Sequence, residues 1–217
     1  TLFAFFVVLL MLPDKTLTSN RKTEKFSFKK LLRNKVARGL LLFRGISAMG
    51  RGGLMAFLPI LASRINITSS LIGIIISVNI FVTALFQGAF GKLADRYNKV
   101  LLVLIGSTVS AVALFCMPFA SNFFELLLIG LIMGLSGAIS MPAATAITVK
   151  LGQRLGMGSA MGAFNTAMSI GMIIAPLISG VVMDAMGLDY VFYVAGIISI
   201  FGTVVFYNYL KGEFRNI

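Results

Sequence analysis

The residue with the greatest chemical consequence is Arg51, because it lies deep inside a long apolar stretch. It stands eleven residues beyond Leu40, where the stretch begins, and therefore about 16 Å along a helix. An arginine at the centre of a bilayer costs about 2.5–3.5 kcal/mol on insertion scales, so its charge requires a partner. The long apolar stretches of this chain hold no deep Asp or Glu. We expect the partner to be water in a cavity, a carboxylate from elsewhere in the protein, or an anionic ligand group, with space left by Gly50, Gly52 and Gly53.

Three neutral polar residues at membrane depth are further candidates for a ligand cavity. Asn79 lies nine residues into the second apolar stretch, and Asn165 and Ser169 lie in the fifth. Such side chains can hydrogen-bond a ligand, but they can equally hold neighbouring helices together at about 0.6 kcal/mol per contact. Arg44 shares nearly one helix face with Arg51, but its shallower position fits an arginine that snorkels to the membrane surface. The candidate cavity residues are therefore Arg51, Asn79, Asn165 and Ser169.

The residue inventory excludes most enzyme chemistry. The chain has no His and a single Cys, Cys116, so a disulfide framework, a Cys/His metal site and a Cys/His nucleophile pair are all unavailable. No Gly-x-Ser-x-Gly turn, the setting of a serine nucleophile, occurs either. With 58% hydrophobic and 12% charged residues, the composition also argues against a soluble globular domain and against disorder. We expect a membrane protein that is not an enzyme and that uses no cofactor or metal.

Six apolar stretches are each about as long as a helix needs to cross a hydrocarbon core of ~30 Å. Short breaks with Gly, Asn, Ser or charged residues separate them, so neighbouring helices must run antiparallel. The sequence therefore predicts an all-α membrane protein built as a six-helix transmembrane bundle. The predicted spans are Leu40–Ala62, Ser70–Phe90, Val100–Ala120, Phe123–Ile147, Ser159–Met183 and Tyr190–Leu210.

The regions outside the six spans divide the chain further. Thr1–Leu12 is apolar but reaches only about 18 Å, and no initiator Met precedes it, so we expect the last part of a membrane helix that begins upstream. Residues 13–39 are predicted to be a basic cytoplasmic connection, 40–210 the bundle and 211–217 a cytoplasmic tail. Within the connection, apolar residues at helical spacing oppose a basic face, which fits either an interfacial helix on anionic lipid or a solvated tether. Those apolar residues are Phe28, Leu31, Leu32 and Val36.

The net charge of +12 would suggest a nucleic-acid partner in a soluble protein, but here its placement indicates orientation. Most basic residues fall before the first span, in alternate breaks, or in the tail, whereas the opposite breaks carry Arg64 with Glu125, Asp184 and Asp189. Because cytoplasmic loops collect Lys and Arg, we expect the basic side to be cytoplasmic. The sequence thus predicts a multi-pass integral protein of the plasma membrane, in contact with lipid and not with nucleic acid.

Two of the spans share a spacing that indicates an internal repeat. Gly91 and Asp95 directly follow the second span. They stand 89 residues before Gly180 and Asp184, which lie at the end of the fifth. An offset of three spans turns the second copy over in the membrane, so Asp95 and Asp184 are expected on opposite sides. Glycine is abundant here, which leaves chance as the alternative, but inverted repeats are a hallmark of transporter folds.

The loop after the second span carries a motif, which reads Gly91-Lys92-Leu93-Ala94-Asp95-Arg96-Tyr97-Asn98-Lys99. This resembles the cytoplasmic signature of the major facilitator superfamily (MFS): Gly, any residue, Leu, a small residue, Asp, Arg, any residue, Gly, then basic residues. Asn98 departs from that pattern where the family usually has Gly, and Val100 where a second basic residue is common. The fifth span, with Ala175-Pro176-Leu177-Ile178-Ser179-Gly180, resembles the carboxyl-terminal half of the same family. The resemblance covers the whole chain, as the end of a sixth helix plus helices seven to twelve.

The resemblance implies half of a twelve-helix MFS fold, with a 3+3 inverted repeat in this half. In that fold two six-helix halves rock about a central substrate cavity, so an amino-terminal half is an implied partner. The signature implies a gating role for Gly91, Asp95, Arg96 and Lys99. Physical reasons agree, because Gly91 admits a close neighbouring helix and Asp95 can face the positive end of another helix. A static loop cap is the alternative.

These observations predict a secondary active transporter of a small solute that works by alternating access, as an exporter of drugs or amphipathic metabolites. Exporters of this kind usually couple to protons through a membrane-embedded carboxylate, and the six spans hold none at depth. Such a group must lie in the missing half, or coupling must work otherwise. One alternative is an uptake transporter for an organic anion, with Arg51 as the anion clamp. Another, of a different class, is a membrane sensor that binds a ligand without transporting it.

Overall fold

The computed structural model describes residues 33–213 of the 217-residue chain, apart from the side chains of residues 154, 155 and 213. Six long helices fill this region, and no strand occurs in it. They are α1 (Lys35–Arg64), α2 (Ser69–Arg96), α3 (Lys99–Cys116), α4 (Phe123–Leu155), α5 (Met157–Met186) and α6 (Leu188–Leu210). Short 3₁₀ turns at Met117–Phe119 and Lys211–Glu213 follow α3 and α6. The predicted all-α fold with six helices is confirmed.

Asparagines cap three of these helices at their first turn. Asn34 accepts a hydrogen bond from the Ala37 amide at 3.1 Å, so α1 begins at Lys35, inside the segment predicted to be a connection. Asn98 accepts from the Val100 amide at 2.9 Å, and this cap of α3 explains why an asparagine suits the position where the family signature has glycine. The predicted helix end at 1–12 and the apolar positions 28, 31 and 32 lie outside the described residues, as does the tail beyond residue 213.

All six helices are long and apolar enough to cross a membrane. The shortest, α3, has 18 residues and reaches about 27 Å, close to the thickness of a hydrocarbon core. Pro59, Pro142 and Pro176 lie inside α1, α4 and α5, and each helix continues past its proline. The prolines therefore do not divide the spans.

The helices pack in the pattern of an inverted repeat. The most extensive contacts of α1 are with α5 and α6, and those of α4 are with α2 and α3. Since the first three helices correspond in order to the last three, these two sets of contacts are equivalent. The helix pairs that meet in one copy of the repeat thus have counterparts in the other.

Two close helix crossings occur at equivalent positions of the repeat. A Cβ at Gly171 of α5 would overlap the carbonyl oxygen of Gly45 in α1, and one at Gly134 of α4 would lie 2.7 Å from the carbonyl oxygen of Asn79 in α2. Gly45 and Gly134 stand 89 residues apart, which is the offset read from the loop motifs. Gly180, which shares that offset with Gly91, faces open space instead. The repeat is therefore visible in the packing, although not every repeated glycine lies at a crossing.

Two apolar clusters lie at the two ends of the bundle. We name as the basic end the one where α1, α3 and α5 begin, and the other as the opposite end. The cluster at the basic end includes Leu40, Phe43, Val103, Ile147 and Phe206. The cluster at the opposite end includes Leu61, Ile75, Leu114, Leu126 and Phe192. The polar side chains of the middle of the bundle lie between these clusters.

The outer surface of the bundle is strongly apolar, above all on α2 and α5. Phe81 of α2 is 64% exposed, and Ile173 and Val181 of α5 are 68% and 69% exposed. These two helices are also the least buried of the six. Such a surface fits lipid or an apolar protein surface as its surroundings, and not water.

Candidate functional site

A polar cavity of about 90 Å³ lies between the two apolar clusters, in the middle of the bundle. Five helices line it, all except α5. The volume suits a few waters or one polar headgroup, and is well below the roughly 300–1,000 Å³ of a pocket for a drug-sized ligand. Two arginines, Asn79 and seven hydroxyl side chains line it, and no Asp or Glu of the described residues does. The hydroxyls belong to Ser47, Thr83, Ser107, Ser110, Ser136, Ser140 and Ser199.

The cavity lies where the two copies of the repeat meet. Many of its lining residues stand in pairs 89 residues apart, with one member in each copy. A site on the axis that relates two copies is approached by equivalent positions of both, so this pairing locates the cavity at the centre of the pseudo-symmetric bundle. The pairs are Arg44 with Met133, Ser47 with Ser136, Arg51 with Ser140, Met55 with Ala144, and Ser110 with Ser199.

Arg51 lines this cavity, and its role toward a solute stays a prediction. Its side chain is partly exposed, and it forms no hydrogen bond or ion pair within residues 33–213. The expectation that the neighbouring glycines leave room for a ligand is wrong. A Cβ at Gly52 would lie 2.7 Å from Ala175 Cβ, and one at Gly53 would lie 2.8 Å from Ser179 Oγ, both on α5. These glycines serve the close approach of α5, which occupies that side of α1.

Arg44 also lines the cavity, and it does not reach the surface as a snorkelling side chain would. It is only 7% exposed. Its guanidinium carbon lies 4.5 Å from the centroid of the Phe164 ring, and its Nη2 lies 2.7 Å from the Met168 sulfur. Its Nε is buried and has no hydrogen-bond partner among the residues that the structure describes. Both neighbours belong to α5 and are uncharged, so they shelter the cation without neutralising it.

Asn79 both lines the cavity and holds two helices together. Its Nδ2 donates to the Gly130 carbonyl of α4 at 2.8 Å. One turn on, the Thr83 hydroxyl is within hydrogen-bond distance of the carbonyls of Asn79 and Gly134, at 2.9 and 3.0 Å. Asn79 therefore acts as a contact between helices. Because it also lines the cavity, its side-chain amide oxygen stays available for a ligand.

Asn165 and Ser169 are not brought to the central cavity. Both are exposed on α5, the one helix that contributes no lining residue. The structure thus joins Arg51 and Asn79 and separates them from the other two predicted cavity residues. That Asn165 and Ser169 contact a solute stays a prediction.

The sequence reasoning missed several lining residues, among them Arg44, Ser110, Ser140 and Ser199. Serine is a common residue in membrane helices and each one alone carries little signal. The offset of 89 residues would have found two of them, because Ser110 and Ser199 form a pair under it. A repeat that keeps a polar residue in both copies is the signal that was available.

Three of the four predicted gating residues share a groove at the basic end. Gly91, Asp95 and Lys99 line it opposite Pro142 and other residues of α4, with a volume of about 600 Å³. Arg96 lies outside the groove and is exposed. The approach at Gly91 is not tight, since a Cβ there would lie 4.0 Å from Pro142 Cβ. The gating role of these residues stays a prediction.

Three charged residues at the opposite end, Arg64, Glu125 and Asp189, are engaged with their immediate surroundings. Arg64 donates to Asp189 at 2.7 Å, which joins the end of α1 to the start of α6. Glu125 accepts from the Ser121 amide at 2.7 Å, and its own amide donates to the Asn122 side chain at 3.0 Å. Asn122 thus caps the first turn of α4, and the Glu125 carboxylate accepts from the amide that precedes this cap. These residues therefore have structural roles away from the cavity.

Sequence comparisons with known proteins agree with the family that the loop motif indicates. A 27% identical relative, described as an uncharacterized MFS-type transporter of Methanocaldococcus jannaschii, aligns over 89% of this chain and 52% of its own length. The multidrug resistance protein MdtG of Serratia proteamaculans is 28% identical over 74% of this chain and 40% of its own length. MdtG of Proteus mirabilis is 26% identical over 69% of this chain and 38% of its own length. The chain thus spans about half the length, or less, of these relatives.

The sequence model of the Major Facilitator Superfamily matches residues 40–216, a range that includes most of α1 and all of the other five helices. Six apolar helices in that range make the chain an integral, multi-pass membrane protein. The relatives are named as transporters or resistance proteins and not as enzymes. On the strength of a match that covers most of its length, this chain belongs to the Major Facilitator Superfamily.

Proposed function

We propose that this chain is the carboxyl-terminal half of a secondary active transporter that exports amphipathic small molecules by alternating access. The observation that carries the proposal is the polar cavity at the centre of the bundle, with an apolar cluster at each end. A solute site at the meeting point of two inverted repeats can be opened to one side at a time. The relatives named multidrug resistance proteins support export of amphipathic compounds.

The other half of the transporter is an integral part of the proposal. A cavity of about 90 Å³ holds a headgroup but not a drug-sized solute, so a second surface must enclose the rest of the molecule. The exposed apolar faces of α2 and α5 suit such a surface. We place Asn165 and Ser169 on that side of the solute, since both are exposed on α5. Coupling to protons then needs a carboxylate contributed by the other half.

The orientation and the gate complete the proposal. The protein lies in the plasma membrane, and its basic end faces the cytoplasm, because Lys and Arg accumulate in cytoplasmic loops. The groove lined by Gly91, Asp95 and Lys99 then opens and closes on the cytoplasmic side. In a Cys116→Ser background, an impermeant thiol reagent applied to intact cells should label Ser121→Cys, in the α3–α4 connection, and not Lys92→Cys. The reverse labelling would contradict this orientation.

The proposal is tested in the full-length protein, reconstituted in lipid vesicles. Arg51→Ala and Arg51→Lys are compared with Arg64→Ala, a matched change at the opposite end, for efflux of a cationic dye and for transport of an organic anion. We expect both Arg51 variants to change the transport rate of at least one of these two solutes. Arg64→Ala should leave both rates near those of the unaltered protein. Unaltered transport of every substrate by the Arg51 variants would remove this cavity from the solute pathway. Solute binding without any transport would indicate a sensor.

The second candidate function is uptake of an organic anion. It is favoured by the lining of the cavity, which carries Arg44 and Arg51 and no acidic residue among those described. Loss of anion uptake alone in the Arg51 variants, with efflux of both the dye and the anion intact, would favour this candidate. Loss of efflux would favour the exporter.

A further inference from the structure

Two arginines share the central cavity without a counter-charge. Arg44 and Arg51 lie seven residues apart on α1, about 10 Å along the helix, and both line the cavity. Within residues 33–213 neither forms an ion pair, and no acidic residue among those described lines the cavity. Burying a cation in a low-dielectric interior costs free energy unless the cation is paired. The side of the cavity formed by α1 therefore favours a negatively charged group.

Arg44 in particular has only weak partners. The Phe164 ring covers the face of the guanidinium, the Met168 sulfur meets Nη2, and Nε is buried without an acceptor. A thioether is a weak acceptor, and an aromatic ring offers no acceptor in the plane of the N–H groups. An oxyanion accepts two hydrogen bonds in that plane. The chemistry that would satisfy Arg44 is therefore one that the described residues around it do not supply.

We propose that Arg44 and Arg51 together form a subsite for the oxyanion group, a carboxylate, sulfonate or phosphate, of a transported amphipathic solute. The inference rests on the proposed function, since it takes the cavity as the solute site, and it narrows the solutes to organic anions. Ser47 and Ser140 line the same cavity and form no hydrogen bond within the described residues, so their hydroxyls are free to donate to the anion. On binding, the guanidinium of Arg44 turns towards the cavity, and its Nε–H gains an acceptor.

The test measures binding, not transport, in the full-length protein in lipid nanodiscs. The ligands are 1-naphthyl phosphate, the neutral 1-naphthol and the cationic 1-naphthylmethylammonium, titrated by calorimetry. We expect the phosphate to bind about tenfold more tightly than naphthol, or better. Arg44→Gln and Arg51→Gln should each remove about that factor for the phosphate and leave naphthol unchanged. Arg64→Gln, at the opposite end, should change neither.

Several outcomes would overturn the subsite. Equal binding of the phosphate and naphthol by the unaltered protein would do so without any variant. An Arg44→Gln protein with lower thermal stability but unchanged phosphate affinity would mean that Arg44 pairs with a carboxylate of the other half. If Arg44→Gln does not fold, Arg44→Lys should bind the phosphate with intermediate affinity, because lysine keeps the charge but lacks the planar fork. Intact anion binding with no transport in vesicles would remove the proposed function and leave the subsite standing.

Discussion

The helices α1 and α4 occupy equivalent places in the bundle and differ in what they present to its centre. Where α1 carries Arg44 and Arg51, α4 carries Met133 and Ser140 at the same repeat positions, and all four line the cavity. The close crossings of the two helices are nevertheless alike, since Gly45 and Gly134 also correspond. The frame of the bundle is thus shared between the copies of the repeat, and the charge is not.

This difference separates what builds the cavity from what gives it chemistry. Small residues at equivalent crossings bring the helices together and place a cavity where the copies meet. Two arginines in one copy, at positions where the other copy has neutral residues, then give the cavity positive charge on one side only. Changes to the shared frame should therefore cost folding, whereas changes to the unshared residues should cost ligand recognition.

The largest effect is expected from a methyl group at a crossing. Gly171→Ala places a Cβ against the Gly45 carbonyl oxygen, and Gly134→Ala places one 2.7 Å from the Asn79 carbonyl oxygen. Neither backbone can retreat without moving a helix, so we expect each change to lower stability by roughly 1–3 kcal/mol. Gly162→Ala, on α5 with nothing near it, is the control and should be neutral or slightly stabilising, because alanine favours helix. Thermal unfolding in detergent measures all three, and equal stability of Gly171→Ala and Gly162→Ala would show that the crossing tolerates a side chain.

The next effect concerns the unshared charge and is tested by moving it. Arg51→Ser should reduce transport of an organic anion by about tenfold or more. If the cavity is approached equally by both copies, adding Ser140→Arg to that variant should restore part of the transport, since residue 140 is the repeat-equivalent of residue 51. Adding Ser121→Arg instead, in the exposed α3–α4 connection, should not. Equal rescue by Ser121→Arg would show that any added positive charge suffices and that position 140 is not equivalent to position 51.

The contrast between frame and charge also explains what the sequence could predict. The six spans follow from hydropathy and length, because lipid imposes both on any crossing helix. The orientation of side chains within a span does not follow, because lipid is as apolar as the interior and helix faces differ little in composition. Residue type therefore predicts space around Gly50, Gly52 and Gly53, whereas in the fold these glycines are helix contacts. For the same reason depth along the helix predicts a surface position for Arg44, although it says nothing of what covers the side chain.

The loop motif was a stronger predictor of family than of geometry. Its spacing identified the superfamily, which the match over residues 40–216 confirms. The tight approach expected at Gly91 is absent, and the position that departs from the signature, Asn98, turns out to cap α3. A motif read along the chain reports residue types, whereas the distance to a neighbouring helix depends on segments far away in sequence.

A smaller effect is expected from the repeat-equivalent carboxylates. Asp95 and Asp184 are both exposed, but only Asp95 lines the groove at the basic end. If that groove acts as a gate, Asp95→Asn should slow transport by roughly 2- to 30-fold without weakening solute binding, in line with coupling energies of 0.5–2 kcal/mol. Asp184→Asn is the matched control and should transport normally. Equal slowing by both variants would assign these carboxylates a common structural role and remove the distinction between the two ends.

The smallest effect is expected from the ion pair of Arg64 and Asp189, which joins the two copies of the repeat and has no repeat-related counterpart. The equivalent positions are Gln153 and Val100, so this pair belongs neither to the shared frame nor to the cavity. Its side chains are 45% and 40% exposed, and exposed pairs of this kind contribute about 0.2–1 kcal/mol, less at high salt. A double-mutant cycle with Arg64→Gln and Asp189→Asn, followed by thermal unfolding at low and high salt, should give a coupling within that range that shrinks as salt rises. A coupling well above it and insensitive to salt would mean that the pair is shielded in the whole protein, and that the opposite end is closed by contacts beyond the described residues.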